Sequence, residues 1–229
     1  MQPQELSKQI KKHIADRYFS NHPFMKLFYN GKLTPQQVRG WIINRYYYQR
    51  QIPVKDSIIL SNITEPVSRK MWLQRMMKRE GLGAYRGDVE GWAKFAEAAG
   101  IANTTLEKMN ILPGVRMAVD AYINFVRTVS WIEGASASLS ELFALDELPK
   151  RITALKNHYN WIDQRGVEFF LERLSYIRED VDLVLELVAP HIRSREMLKK
   201  CLRAAAFNCD VHWSMLDAIY MGYVVSKKL

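Results

Sequence analysis

The chain has 229 residues, 48% of them apolar and 25% charged, with 11 glycines and 8 prolines, which excludes a disordered or fibrous protein and leaves room for one large core or two small ones. Its net charge of +9 suits nucleic acid, an anionic membrane surface or an acidic small molecule. The basic residues, among them Lys8, Arg50, Arg69 and Lys199, are scattered through amphipathic segments instead of gathered in a tail or a nucleic-acid module, so a solvated surface is expected and no nucleic-acid partner.

No apolar run approaches the roughly 18 residues that a bilayer demands, and Met1 to Lys12 is polar, unlike a secretory leader. We therefore expect no membrane partner and a cytoplasmic protein. Apolar residues recur at spacings of three and four almost throughout, and alternation is nearly absent, so the elements are helices. Residues 4 to 19 form the first. Thr34-Pro35-Gln36-Gln37 combines a capping threonine, a first-turn proline and a glutamine that reaches back to the cap, which starts a helix near Pro35 and carries it to about Leu60. Pro53 removes a backbone donor inside it, and a kink or break is expected there. A third helix runs from about Pro66 to Glu80, stopped by Gly81-Leu82-Gly83.

Asp88 is placed to cap a segment that ends near Gly100, and Thr104 with Glu107 starts a short one. After Pro113-Gly114 the pattern from Val115 to Phe143 reads as almost uninterrupted helix, rich in alanine, serine and aromatics, as for a central element packed on several sides. Segments near 164 to 189 and 193 to 226 complete the chain, and His158 to Asp163 reads as a packed inter-helix loop. We expect a single all-α domain over residues 1–229, a bundle of about seven helices. Cys201 and Cys209 fall eight apart in one helix, about 12 Å from each other and too far for a disulfide, in apolar surroundings that suit inert thiols.

Several groups of residues stand out chemically. Arg45, Tyr48, Gln49 and Ile52 share one helix face, offering a cation, a phenol and an amide together, which suits either an oxygen-rich ligand or a core with satisfied hydroxyls. Arg75 and Arg79 are four apart and repel unless an anion lies between them, or else they belong to a wet basic face with Lys78. Together with Arg45, and with Lys55 near, a buried version of this cluster predicts a bound polyanion. There is no Glu-x-x-His, and the five histidines lie far apart, His212 having only Asp210 or Asp217 at a loose distance, so no metal is expected. A Gly-x-Ser-x-Gly elbow, a P-loop and a Gly-x-Gly-x-x-Gly turn are all missing.

Gly40-Trp41-Ile42-Ile43-Asn44-Arg45-Tyr46-Tyr47-Tyr48-Gln49, Ile52-Pro53-Val54-Lys55-Asp56, Leu112-Pro113-Gly114-Val115-Arg116, Val119-Asp120-Ala121-Tyr122, Ser140-Glu141-Leu142-Phe143-Ala144, His158-Tyr159, Trp161-Ile162 and Trp213-Ser214-Met215-Leu216-Asp217-Ala218 together resemble the pyrroloquinoline-quinone synthase family, within the helical superfamily that includes thiaminase II. The likeness covers nearly the whole chain. It implies a seven-helix bundle of haem-oxygenase type, usually a homodimer, whose pocket ring-closes a polycarboxylate quinoid precursor and oxidises it with dioxygen, without metal or organic cofactor, releasing hydrogen peroxide.

Carried onto this chain, the resemblance marks Tyr18, Arg45, Tyr48, Gln49, Lys55, Arg75, Tyr122, Glu141, Arg151 and Arg173 as ligand-binding and positioning groups, and with the family's acid–base groups replaced the expected catalytic residues of this chain are Tyr48, Tyr122 and Arg79. It also implies histidines where this chain has Phe19, Arg79 and Leu148, a tyrosine at Phe169 and a lysine at Asn208. Phenylalanine and leucine neither donate nor accept a proton, and arginine is no base at neutral pH. Two functions stay open: an oxidase of quinone-synthase type, or a relative that binds a quinone or polycarboxylate with little or no oxidase activity.

Overall fold

Proline opens five of the helices, where its missing N–H would have lacked a partner in any case. The computed structural model describes residues 1–108 and 110–226. In chain order its helices are α1 (Pro3–Ile14), α2 (Pro23–Tyr29), α3 (Pro35–Ser61), α4 (Pro66–Glu80), α5 (Asp88–Ala98), α6 (Asn103–Glu107), α7 (Pro113–Thr128), α8 (Trp131–Ala137), α9 (Ala144–His158), α10 (Arg165–Val188) and α11 (Arg195–Tyr220), the last running into a π-helical turn at Met221–Val225. No strand occurs among the described residues. The architecture is all-α as expected. Eight longer helices form the bundle among the described residues, one more than the expected seven, and α2, α6 and α8 are short pieces of five to seven residues between them.

Local rules set several boundaries. The Thr34 capping box forms with both of its hydrogen bonds, and Gly81 ends α4 in the left-handed conformation at φ 81°. Three expectations need correcting. Pro53 does not break α3, which continues to Ser61 and is supported along its length by packing on α5 and α7. Asp88 does not cap α5: Gly87 is the N-cap, and the Asp88 carboxylate turns inward to accept from the Tyr176 hydroxyl at 3.2 Å. The stretch from 115 to 143 is three pieces. Ser130 and Glu133 make a second capping box that starts α8 afresh, and a 3-10 turn follows at Ser138–Phe143.

The first helix is also shorter than expected. It stops at Ile14, and two 3-10 turns at 15–17 and 19–21 carry the chain past Tyr18 and Phe19. That early stop brings both rings against α11 and the 138–143 turn, with Phe19 5.1 Å from the His212 ring and Tyr18 4.8 Å from Phe143.

Helix α11 packs on α1, α7 and α8, α10 packs on α4, α5 and α9, and α3 joins the two groups through α5 and α7. Trp72 and Trp92 are fully buried and donate their indole N–H groups to the backbone carbonyls of Asp56 and Ile42 at 2.9 and 3.0 Å. A large aromatic is therefore buried without orphaning its polar edge. Each such side chain contributes about 2 to 3 kcal/mol by leaving water. Cys201 and Cys209 are buried free thiols, and burial pushes the Cys209 thiol up to about 12. No described helix is long and apolar enough to cross a membrane.

Candidate functional site

A cleft of about 690 Å³, its solvent-open mouth included, lies between α3, α4, α5, α9, α10, α11 and the 138–143 turn. The face of α3 singled out from the sequence does turn into it: Arg45, Tyr48, Gln49 and Ile52 all line the space, one turn apart as the helical repeat requires. The Arg45 guanidinium lies over the Tyr48 ring at 4.1 Å. Tyr48 is buried, and burial raises its pKa, so its phenol stays protonated and is able to donate a hydrogen bond. Tyr122 stands behind it on α7, the two rings stacked at 6.3 Å, and does not line the cleft.

The arginines of α4 are not a repelling pair awaiting an anion, which corrects the sequence expectation. Four carboxylates from distant parts of the chain already lie among them. Arg75 donates to Asp56 at 3.0 Å and reaches Glu141 at 3.5 Å, while Arg79 bonds Glu141 and lies 3.6 Å from both Asp88 and Asp180. Arg173 donates to Asp180 at 2.9 Å and to Glu141 at 3.1 Å. Lys55 completes the group, 2.5 Å from Asp56 and 3.0 Å from the Ser138 hydroxyl. Lys55, Arg75, Arg79 and Arg173 are thus balanced by Asp56, Asp88, Glu141 and Asp180.

Burial penalises ionisation of Glu141 and Asp56, yet the cations outweigh it. Arg79, Arg173 and Arg75 hold the Glu141 carboxyl well below its usual range, and Lys55 with Arg75 lowers the pKa of Asp56. Burial pulls Lys55 down to about 8 despite Asp56. Buried ions of this kind are tolerated because each has partners. Arg79, Arg173 and Glu141 line the cleft, whereas Lys55 and Arg75 lie behind its wall.

A second, smaller group sits on α9. Arg151 and Glu147 pair at 2.7 Å, the Tyr29 hydroxyl donates to Glu147 at 2.6 Å, and Tyr18 stands beside them with its pKa raised by burial and by Glu147. Arg151, Glu147 and Tyr18 all line the cleft. Where the resemblance implied imidazoles and a phenol, Phe19, Leu148 and Phe169 form apolar wall, and Arg79 is held in the ionic group. Asn208 is set back, accepting from Ser140 at 3.1 Å.

Eight of the eleven residues marked as binding or catalytic therefore line one space; Tyr122, Lys55 and Arg75 support it from behind. The sequence reading missed Asp56, Asp88, Glu147 and Asp180 as counter-charges, and it missed His212 as a lining group. His212 lies four residues after Asn208 on α11, a spacing that places both on the inner face. The loose metal grouping of His212 with Asp210 or Asp217 does not form: Asp210 pairs with Arg17 at 3.1 Å and Asp217 with His22 at 3.0 Å. Among the described residues no group of three or more His, Cys, Asp or Glu is arranged to hold a metal ion.

Such a cleft, apolar on one wall and rich in positioned donors on the other, fits a planar oxygen-rich ligand. The TENA/THI-4/PQQC family pattern matches residues 8–218. The chain is 41% identical over 228 residues to the pyrroloquinoline-quinone synthase of Ectopseudomonas mendocina (strain ymp), covering 99% of this chain and 91% of that protein. It is 41% identical over 222 residues to the synthase of Acinetobacter baumannii (strain AYE), covering 95% and 88%. Among solved structures, a domain with a heme oxygenase-like fold from Shewanella denitrificans OS217 superimposes with a TM-score of 0.76 at 11% identity, covering 98% of this chain and 93% of that one. A TenA homologue from P. horikoshii OT3 does so at 0.71 and 12%, covering 95% and 99%. At those identities the likeness is one of fold.

Proposed function

This chain belongs to the TENA/THI-4/PQQC family, and we propose that it acts as a pyrroloquinoline-quinone synthase, closing a ring in a polycarboxylate quinoid precursor and oxidising it with dioxygen, which is reduced to hydrogen peroxide. The observation that carries this reading is identity of 41% sustained over 99% of the chain with a protein of that name. Likeness of that length favours the oxidase over a relative that only binds a quinone.

The cleft supplies what such a reaction asks of a protein. Arg45 anchors a ligand carboxylate. Tyr48 and Gln49 donate hydrogen bonds beside it, and Tyr18 and Arg151 close the opposite side. Arg79 and Arg173 turn their remaining N–H groups to the ligand while Glu141 fixes their planes, so positive charge is oriented in advance where a reduced ring or reduced oxygen develops negative charge. Tyr122, Lys55 and Arg75 hold that arrangement from the second layer. Phe19, Leu148 and Phe169 clamp a flat ring and keep water from it. The reading includes no metal or organic cofactor. It also includes a cytoplasmic homodimer, each chain a single domain.

Supplying the quinoid precursor aerobically, with an oxygen electrode and a peroxide assay, tests it. Oxygen uptake matched by peroxide and by the absorbance of pyrroloquinoline quinone is the expected result. Tight binding of the product with no oxygen uptake would leave the binding relative as the answer.

A further inference from the structure

The cleft retains one imidazole among its lining residues, on a helix where neither motif nor resemblance called for it. His212 of α11 is 6% exposed, with the Tyr48 ring 4.7 Å away and the Phe19 ring 5.1 Å away. Its Nδ1 lies 2.5 Å from Nη1 of Arg45. A guanidinium only donates, so this ring nitrogen accepts, and the proton of the neutral ring is assigned to Nε2. Burial first, then the charge of Arg45, pushes the pKa of His212 well below its ordinary range; Glu141 opposes this and Arg151 adds to it. Without a ligand His212 is neutral, and its basic lone pair is covered by Arg45.

Arg45 differs from the other lining arginines. Arg79, Arg151 and Arg173 each hold at least one carboxylate, whereas among the described residues Arg45 has none in ion-pair reach. Its charge is buried, which lowers its pKa to about 10, and its guanidinium meets the His212 nitrogen and the face of Tyr48. The other charged or titratable groups facing His212 are Tyr48 from α3, Glu141 from the 138–143 turn, and Arg151 with its partner Glu147 from α9. An incoming carboxylate accepts from a guanidinium more strongly than an imidazole does. It therefore draws Nη1 toward itself, neutralises the nearest charge acting on His212, and brings the ligand to the nitrogen that has just been uncovered.

We propose that His212 is the proton acceptor of this cleft, and that a ligand carboxylate switches it on by taking Arg45 away from Nδ1. The proposal rests on the oxidase reading for its chemistry. In the step itself the C–H bond at the carbon being oxidised breaks, its electron pair stays in the quinoid ring, and the proton passes to Nδ1. Dioxygen then takes two electrons from the ring and two protons, one returned by His212 and one from a ring N–H or O–H, and leaves as hydrogen peroxide. The apolar replacements at Phe19 and Leu148 thus do not empty the site of acid–base chemistry, because it has moved to α11.

Long-range proton–nitrogen spectra of the imidazoles in the full chain, taken against pH with and without pyrroloquinoline quinone as a stable probe, test the switch directly. His212→Asn assigns the signals. The free protein should show a neutral Nε2–H ring at pH 7, and saturating probe should raise the proton affinity of His212 at least about tenfold. In Arg45→Gln the probe should no longer move it. In turnover with the precursor, His212→Asn should lower kcat by a factor of about 100 to 10,000 with KM changed less than about threefold. The acid limb of kcat, which reports the complex, should lie at higher pH than that of kcat/KM, which reports the free enzyme, and both limbs should vanish in the variant. A His212 titration unmoved by saturating probe overturns the proposal, as does a His212→Asn enzyme within threefold of wild type. Binding of the probe by a wild type that consumes no oxygen sinks the oxidase reading alone, and the titration then decides the switch. Failure to bind the probe at all sinks both. Should His212→Asn not fold, the wild-type titration and Arg45→Gln carry the decision.

Discussion

Glu141→Gln is the sharpest probe of the ionic group beside the cleft. The carboxylate touches Arg75 at 3.5 Å, Arg173 at 3.1 Å and Arg79 more closely still, and these arginines are nearly or wholly removed from water. The amide keeps the size but removes one of four balancing charges, leaving a net positive charge in the interior. Removing one partner of a buried pair costs about 3 to 5 kcal/mol. For a chain of this length each kcal/mol moves Tm by about 2 to 4 °C, so a fall of roughly 6 to 20 °C is expected by calorimetry or circular dichroism. The companion variant sharpens the logic. Glu141→Gln with Arg79→Met removes both charges and should recover a large part of the loss, a non-additive result that marks a direct interaction. The cations depress the folded pKa of Glu141, so its contribution is present above the unfolded carboxyl pKa and is lost as pH falls toward the folded one. The difference between wild type and Glu141→Gln should therefore shrink in acid. A single variant within 1 kcal/mol of wild type at pH 7 would refute this account of how the cluster is held.

Arg45→Gln should weaken binding of pyrroloquinoline quinone by about 10- to 150-fold in a titration, the value of one charge-assisted hydrogen bond of about 1.5 to 3 kcal/mol; an unchanged Kd would remove Arg45 as anchor. Lys55 has a folded pKa of about 8 against 10.5 for the free group, so between those values the unfolded chain holds a proton that the native state has released, and this group's contribution to stability rises with pH across that window. Lys55→Met should flatten that slope in denaturant titrations. Gly91→Ala places a methyl against the Phe169 ring, and the resulting crowding should cost about 1 to 3 kcal/mol and narrow the cleft, with Phe169→Leu restoring stability in the double variant. The chain should unfold in one transition with matching calorimetric and van't Hoff enthalpies, and two separated transitions would contradict a single domain.

The helical class was legible because it rests on local rules. Thr34 with Gln37, Pro35, Pro66 and Gly81 act within four residues of themselves, and each set the boundary expected of it. Misreadings arose where a second local signal or a distant partner overrode the first. Periodicity from Val115 to Phe143 is nearly continuous, yet Ser130 and Glu133 satisfy a new cap and the chain restarts there. Asp88 has the composition of a cap, but Tyr176, Arg79 and Arg173 offer its carboxylate stronger partners than a helix N-terminus does. Likewise the face of Arg45, Tyr48 and Gln49 was legible from one helix, whereas its contact with His212 spans 167 residues.

Electrostatics shows why the candidate site was only half readable. Arg75 and Arg79 are neighbours in sequence and announce a positive cluster, but their counter-charges come from 19 and 62 residues away and from two further helices. A chain read locally therefore shows cations without anions and invites a polyanionic ligand to supply them. The folded chain has supplied them already, at the desolvation cost that any buried ion carries, and keeps them fixed. The consequence for binding is selective. An arginine already bonded to carboxylates adds orientation more than attraction, since a ligand must share its donors. Arg45, left without a carboxylate, adds attraction, and it is also the group that covers the imidazole. Affinity for an anionic ligand and control of the proton acceptor are thereby vested in one side chain, which the balanced cluster, by being balanced, does not compete with.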